Sequence, residues 1–182
     1  MLIQCTKKLL DELWVNAAEK EEDKTPLFSW HANLIKINRK KCVVLMNDKN
    51  RYVIVLYGLK AKDFKNMDEL ITGAVRETFR EECIKDEIIE KFIKNAGKIT
   101  YSKTGGKSTV AKLNYACDEV KFYEFLLDTG SIFQPLLSRR VSTSLVDKGS
   151  EGRYVRPYEE MYEDLKSLGE DDILSLTGRS RY

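Results

Sequence analysis

The sequence predicts an α+β fold: a mixed, largely antiparallel sheet built on a three-strand meander, with several packed helices. Three observations carry this. Two apolar runs, Cys42–Met46 and Tyr52–Leu59, follow a third strand candidate at Leu27–Ile37. The connections between them, residues 38–41 and 47–50, are rich in turn formers. Apolar residues then recur at helical spacing in several later segments. The chain has 182 residues, 42% hydrophobic and 33% charged. A chain of this size buries roughly two-thirds of its unfolded surface, so its core needs no disulfide or metal staple.

Taken in order, Leu2–Cys5 reads as a short strand. Thr6 is placed to cap a helix carrying Leu9, Leu10, Leu13 and Trp14. Residues 16–26 are polar and acidic and end in Pro26, which predicts a loop. In the meander, Val43-Val44-Leu45 and Val53-Ile54-Val55-Leu56 do not alternate. Continuous apolar runs imply cover on both faces, so these strands are expected centrally in the sheet. The strand before them differs: Trp30, Ala32 and Leu34 share one face, while His31 and Asn33 take the other, followed there by Ile35 and Ile37. A face that turns from polar to apolar predicts a pocket mouth, a bulge or a sheet margin.

Asn66-Met67-Asp68-Glu69 resembles a capping box. The helix after it carries Leu70, Ile71, Ala74, Val75, Thr78 and Phe79 on one face. A second helix spans about Asp86–Ala96, with Gly97 as its stop. Residues 98–102 suit a strand, and Ser108 is placed to cap a long helix bearing Val110, Leu113, Cys117, Val120 and Tyr123. Residues 132–146 show no clear period, and 147–152 read as a charged loop. Pro157 suits the first turn of a last helix, with Glu159 and Glu160 near its positive end and Gly169 as its stop. Without repeats or a dividing linker, residues 1–170 are expected to form a single domain, with a frayed tail at 171–182.

Net charge is only +2, so any anion-binding surface must be local. The four cysteines, at 5, 42, 83 and 117, show no zinc or redox spacing and suit a reducing compartment. Neither a signal peptide nor an apolar run of roughly 20 residues is present, so the expected location is the cytoplasm, with no membrane partner. No cofactor and no metal are expected, because no Cys, His or carboxylate sits at ligand spacing to His31.

The candidate chemistry is sparse. His31 is the sole histidine, and it could serve as a general acid or base. Its possible companions are Asn33, Arg39, Asp48, Arg51 and Tyr57. A metal-independent nuclease needs little beyond such a proton carrier and a cation for the phosphate, the role open to Arg51 or Arg39. The plainer reading, which we favour, is a semi-buried imidazole hydrogen-bonded to backbone. Thr104-Gly105-Gly106-Lys107-Ser108 ends like a phosphate-binding loop, but Tyr101 stands where that motif needs its first glycine. If the meander forms, its turns alternate ends. Arg39, Lys40, Lys41, Lys60 and Lys62 then gather at one end as a candidate phosphate-contacting patch. Arg139 and Arg140, followed by Ser142, Thr143 and Ser144 and then Arg153 and Arg156, form a second basic cluster suited to contacting nucleic-acid phosphate. The plainer readings are a solvated hairpin whose lysines guard a sheet margin for the first patch, and pairing with Glu159, Glu160, Glu163 and Asp164 of the last helix for the second.

Several segments together resemble a known family: the first ten residues, Ser29-Trp30-His31-Ala32-Asn33-Leu34, Leu45-Met46-Asn47-Asp48, and Tyr57-Gly58-Leu59-Lys60-Ala61-Lys62-Asp63-Phe64. Arg139-Arg140-Val141 and Tyr154-Val155-Arg156-Pro157 extend the likeness over most of the chain. The family is an uncharacterised bacterial domain, found alone and as the N-terminal part of proteins labelled plasmid ORF-three-like. The resemblance implies a bacterial cytoplasmic protein linked to mobile elements. It supplies no activity, cofactor or catalytic residue. The leading expectation is a non-catalytic module binding nucleic acid or a protein partner in a mobile-element or defence context. The alternatives are a small metal-independent nuclease or toxin using His31, and a structural or oligomerisation domain.

Overall fold

A computed structural model describes residues 1–15, 17, 25–147 and 152–168. Gly169, the expected tail at 171–182 and parts of the two expected loops lie outside the described residues.

The apolar runs become strands β1 (Leu2–Cys5), β2 (Ser29–Ile37), β3 (Lys40–Asn47), β4 (Val53–Leu59) and β5 (Thr100–Lys103). They form one sheet in the order β4-β3-β2-β1-β5. The β2-β3-β4 part is the expected antiparallel meander. β1 lies between β2 and β5 and runs parallel to both. The helices are α1 (Lys7–Leu13), α2 (Met67–Glu81), α3 (Asp86–Ala96), α4 (Lys107–Phe122), α5 (Pro135–Ser142) and α6 (Pro157–Lys166). A small ladder pairs β6 (Val146–Asp147) with β7 (Tyr154–Val155). The architecture is α+β.

The unbroken apolar runs are explained by two cores, one on each side of the sheet. Val43, Leu45, Ile54 and Leu56 join Trp30, Ala32 and residues of α2, α3 and α6. Cys42, Val44, Met46, Val53, Val55 and Tyr57 join Leu113, Cys117 and Val120 of α4, and Leu137 and Val141 of α5. Each strand alternates between two buried faces, so alternation of polarity disappears.

One expectation fails. β4 is covered on both faces, but it is an edge strand by sheet order, whereas β1 is interior. Apolar patterning reports what lies above and below a strand, and says nothing about what lies beside it. The open side of β4 is closed by the chain after α4. Ser142 and Ser138 lie one helical turn apart on α5, and their Oγ atoms accept the amides of Val53 and Val55, each at 3.0 Å. The Tyr57 amide donates to Ile132 O at 2.9 Å. This edge is thereby shielded from pairing with another chain. Gly73 in α2 makes the arrangement possible: a Cβ there would stand 2.7 Å from the Phe133 ring. A mid-helix glycine costs roughly 0.5–1 kcal/mol relative to alanine; here its bare surface seats Phe133 and brings residues 132–134 against β4.

Local signals differ in outcome. α3 spans the expected residues and stops at Gly97, whose φ is +62°. Thr6 precedes α1, but its hydroxyl donates to Asn33 Oδ1 at 2.9 Å instead of capping the helix. α4 starts one residue before Ser108, with Gly106 as N-cap.

Candidate functional site

The β2–β3 turn consists of Asn38 and Arg39, with φ of +49° and +64°. Both positive values are the pattern of a type I′ hairpin, whose second position favours glycine. An L-residue there bears about 1–2 kcal/mol of steric cost. β4 leaves the sheet at the same end, because successive turns of a meander alternate ends. Arg39, Lys40, Lys41, Lys60 and Lys62 consequently line one concavity of about 590 Å3, together with Tyr57 and residues 129–132.

Not every cation here is available. Lys41 Nζ lies 2.6 Å from Glu12 Oε1 and over the Phe64 ring at 5.2 Å. Lys40 Nζ stands over the Tyr57 ring at 5.5 Å, which leaves its ammonium at the rim. Arg39, Lys40, Lys60 and Lys62 are exposed, and none has a carboxylate partner among the described residues. Asp63, which accepts the Lys60 amide at 2.7 Å, is the acid on this wall. Cations exceed acids, and residues 129–132, which carry no charge, supply a second wall.

His31 lies elsewhere, beneath α4. Register places Gln4 of β1 beside it, and Met46 of β3 on its other side. Asp48, two residues past Met46, returns to the same face. His31 Nδ1 is 2.6 Å from Asp48 Oδ1, and Gln4 Nε2 donates to Asp48 Oδ2 at 2.7 Å. An Nδ1–H that donates to Asp48 cannot also accept from Gln4, so the 3.3 Å Gln4–His31 approach is a packing contact. The side chain of His31 is 4% exposed and that of Asp48 17%. His31 Nε2 has no hydrogen-bond partner among protein atoms, nor has the buried Oγ of Ser102, which stands opposite Gln4 on β5. The changeover on β2 is therefore neither a bulge nor a sheet margin. It marks where the apolar core under α4 gives way to a buried polar network. Farther along that face, Asn33 Nδ2 contacts Cys117 Sγ at 3.7 Å.

Asp48 is the member of this network that reaches a cavity, of about 190 Å3, which Arg51 and Lys112 also line. The 47–52 turn holds it in place. Asn47 is fully buried; its Nδ2 donates to Leu27 O at 2.9 Å and its Oδ1 accepts the Lys49 amide at 3.0 Å. Asn50 Nδ2 donates to Asp164 Oδ2 of α6 at 2.9 Å. Arg51 has a φ of +65°. Its Nη1 donates to Asp147 O at 2.9 Å, while its Nε is buried without a partner. Burial lowers the pKa of its guanidinium, opposed by Tyr115 and Asp147. His31 itself does not line this cavity.

The second arginine pair stays apart from both places. Arg139 sits 3.6 Å from Glu82 and 3.7 Å from Glu81, not against the acids of α6. Arg140 lies over the Tyr123 ring at 4.4 Å and donates to Tyr123 Oη and Thr143 Oγ1, each at 2.9 Å. These are structural partnerships. Tyr101, the misfit of the glycine-lysine-serine stretch, donates its hydroxyl to Asp68 at 2.5 Å. Burial pushes the thiols of Cys5 and Cys42 up to about 12 and that of Cys117 up to about 11, which removes them as nucleophiles at neutral pH. Among the described residues, no three His, Cys, Asp or Glu side chains are grouped to hold a metal. No described helix is long and apolar enough to cross a membrane.

Sequence reasoning missed Gln4, Thr109 and Lys112. Gln4 carried a faint signal, as the one polar residue in an apolar strand. Lys112 carried none, since a lysine on a polar helix face is ordinary.

A family model described as a domain of unknown function, DUF6933, matches residues 2–160. No curated protein and no solved structure matches the chain.

Proposed function

We propose that this chain, which belongs to the DUF6933 family, is a non-catalytic module that binds the phosphate backbone of nucleic acid through the concavity at the β2–β3 turn. The observation that carries this is the convergence of Arg39, Lys40, Lys60 and Lys62 on one concavity of about 590 Å3. An arginine kept at a turn position suited to glycine supports it, since backbone strain collects where function holds it. By the resemblance noted above, the setting would be a bacterial mobile element. A nuclease centred on His31 and Arg51 has less support. The His31–Asp48 contact suits proton handling, but the imidazole is enclosed and the cavity is lined by Asp48 instead.

The test is binding of the full chain to single- and double-stranded oligonucleotides across a salt series. Each neutralised duplex phosphate contributes about −0.9 to the slope of log affinity against log salt, so four cations predict a slope of about −3 to −4. Lys60→Ala with Lys62→Ala should bring it to about −2. No binding at low salt, or an unchanged slope in the double variant, refutes the proposal. Binding accompanied by strand cleavage that His31→Ala abolishes would favour the nuclease instead.

A further inference from the structure

The cavity beside Asp48 differs in chemistry from the basic concavity. Its volume of about 190 Å3 is that of about six waters at roughly 30 Å3 each. Drug-sized pockets begin near 300 Å3, so this one suits a ligand of a few heavy atoms and excludes a polymer. Charges of both signs line it: Asp48 and Glu160, with Lys49, Arg51 and Lys112. Lys49 is committed to Asp164 at 2.6 Å. Lys112 is half-buried and has no carboxylate partner among the described residues. Arg51 spends one donor on Asp147 O and leaves its buried Nε unmatched. On the acid side, Asp48 is fixed by His31 and Gln4, one on each oxygen. A carboxylate oxygen has two lone pairs, so Asp48 keeps accepting capacity on its exposed side.

We propose that this cavity binds a small zwitterion of the free amino-acid class, with its carboxylate on Lys112 and Arg51 and its ammonium on Asp48. Thr109, in the first turn of α4, adds a hydroxyl and the positive end of the helix dipole to the carboxylate side. His31 and Gln4 are positioning residues in this arrangement: they hold the carboxylate of Asp48 toward the cavity and do not touch the ligand.

Isothermal titration of the full chain with a panel of free amino acids tests this, with acetate and methylamine as single-charge probes. Saturable one-site binding of at least one amino acid is expected, with both probes weaker by about tenfold or more. Lys112→Met should weaken that amino acid by about tenfold, the usual loss for a charge-assisted hydrogen bond. Lys112→Gln serves if the methionine variant lacks native circular dichroism. Lys60→Ala with Lys62→Ala should leave the affinity unchanged, which keeps this result separate from nucleic-acid binding. The proposal is overturned by no saturable binding at millimolar concentration, by acetate binding as tightly as the best amino acid, or by full affinity in a folded Lys112 variant. Equal weakening in the Lys60/Lys62 variant also overturns it.

Discussion

Replacing Ser138 and Ser142 together by alanine tests how β4 stays closed. Both serines are 0% exposed, and their Oγ atoms accept the Val55 and Val53 amides at 3.0 Å. Alanine leaves both amides buried without an acceptor, at about 1–3 kcal/mol each. Better helix propensity returns about 0.5 kcal/mol per site. The double variant should therefore lose about 1–5 kcal/mol, with less than full additivity because both sites act on one strand. That is a large share of the roughly 5–15 kcal/mol of a typical domain. Urea unfolding followed by circular dichroism gives the loss, and amide exchange at Val53 and Val55 locates it. Leu136→Ala on the same helix, at a side chain 51% exposed, should shift stability by less than about 0.5 kcal/mol. A double variant within that margin of the parent, with both amides still protected, refutes the edge-closure argument.

Arg39→Gly should act in opposite directions on stability and binding. Relief of the left-handed arginine contributes about 1–2 kcal/mol, and the freer unfolded glycine takes back about 0.4–1 kcal/mol. The net is a gain of up to about 1.6 kcal/mol, or a rise in Tm of up to about 6 °C, while oligonucleotide affinity falls; a variant that melts lower and binds as tightly counts against both the strain and the concavity. Glu82 predicts a pH dependence. Burial raises its pKa despite hydrogen bonds from Tyr162 and Tyr52 and the nearby Arg139. A carboxyl raised in the folded state contributes stability that is full below its ordinary value of 4.5 and is lost as pH rises through the folded value. Urea midpoints should fall across that window, and Glu82→Gln should flatten the slope; an unchanged slope removes Glu82 as its source.

The parts of this fold that were legible are those whose signals are local. α3 could be read to its ends because Ile88, Ile89 and Phe92 share a face and Gly97 ends the helix. The gathering of Arg39, Lys40, Lys41, Lys60 and Lys62 followed from the parity of a meander, which needs only three consecutive strands and their turns. Asp48 could be named as a companion of His31, since both belong to that meander. Gln4 could not be paired with them, because its place depends on β1 entering the sheet beside β2 through a crossover. α5 was hidden because Pro135–Ser142 is short and its serines are buried against a strand edge, where polarity misleads a hydrophobic pattern.

The α+β class, the meander, most helices and the end of the sheet where the basic residues gather can all be read from the chain alone. These rest on periodicity and turn chemistry, which act over a few residues. That β4 is an edge sealed by serines, that His31 is enclosed with Gln4 and Asp48, and that Asp48, Arg51 and Lys112 line one small cavity emerge when the segments pack together. Those outcomes depend on contacts between segments far apart in the chain. Which pairings form is settled by the closing of long loops and the shared burial of whole faces, and no short stretch of residues records that choice.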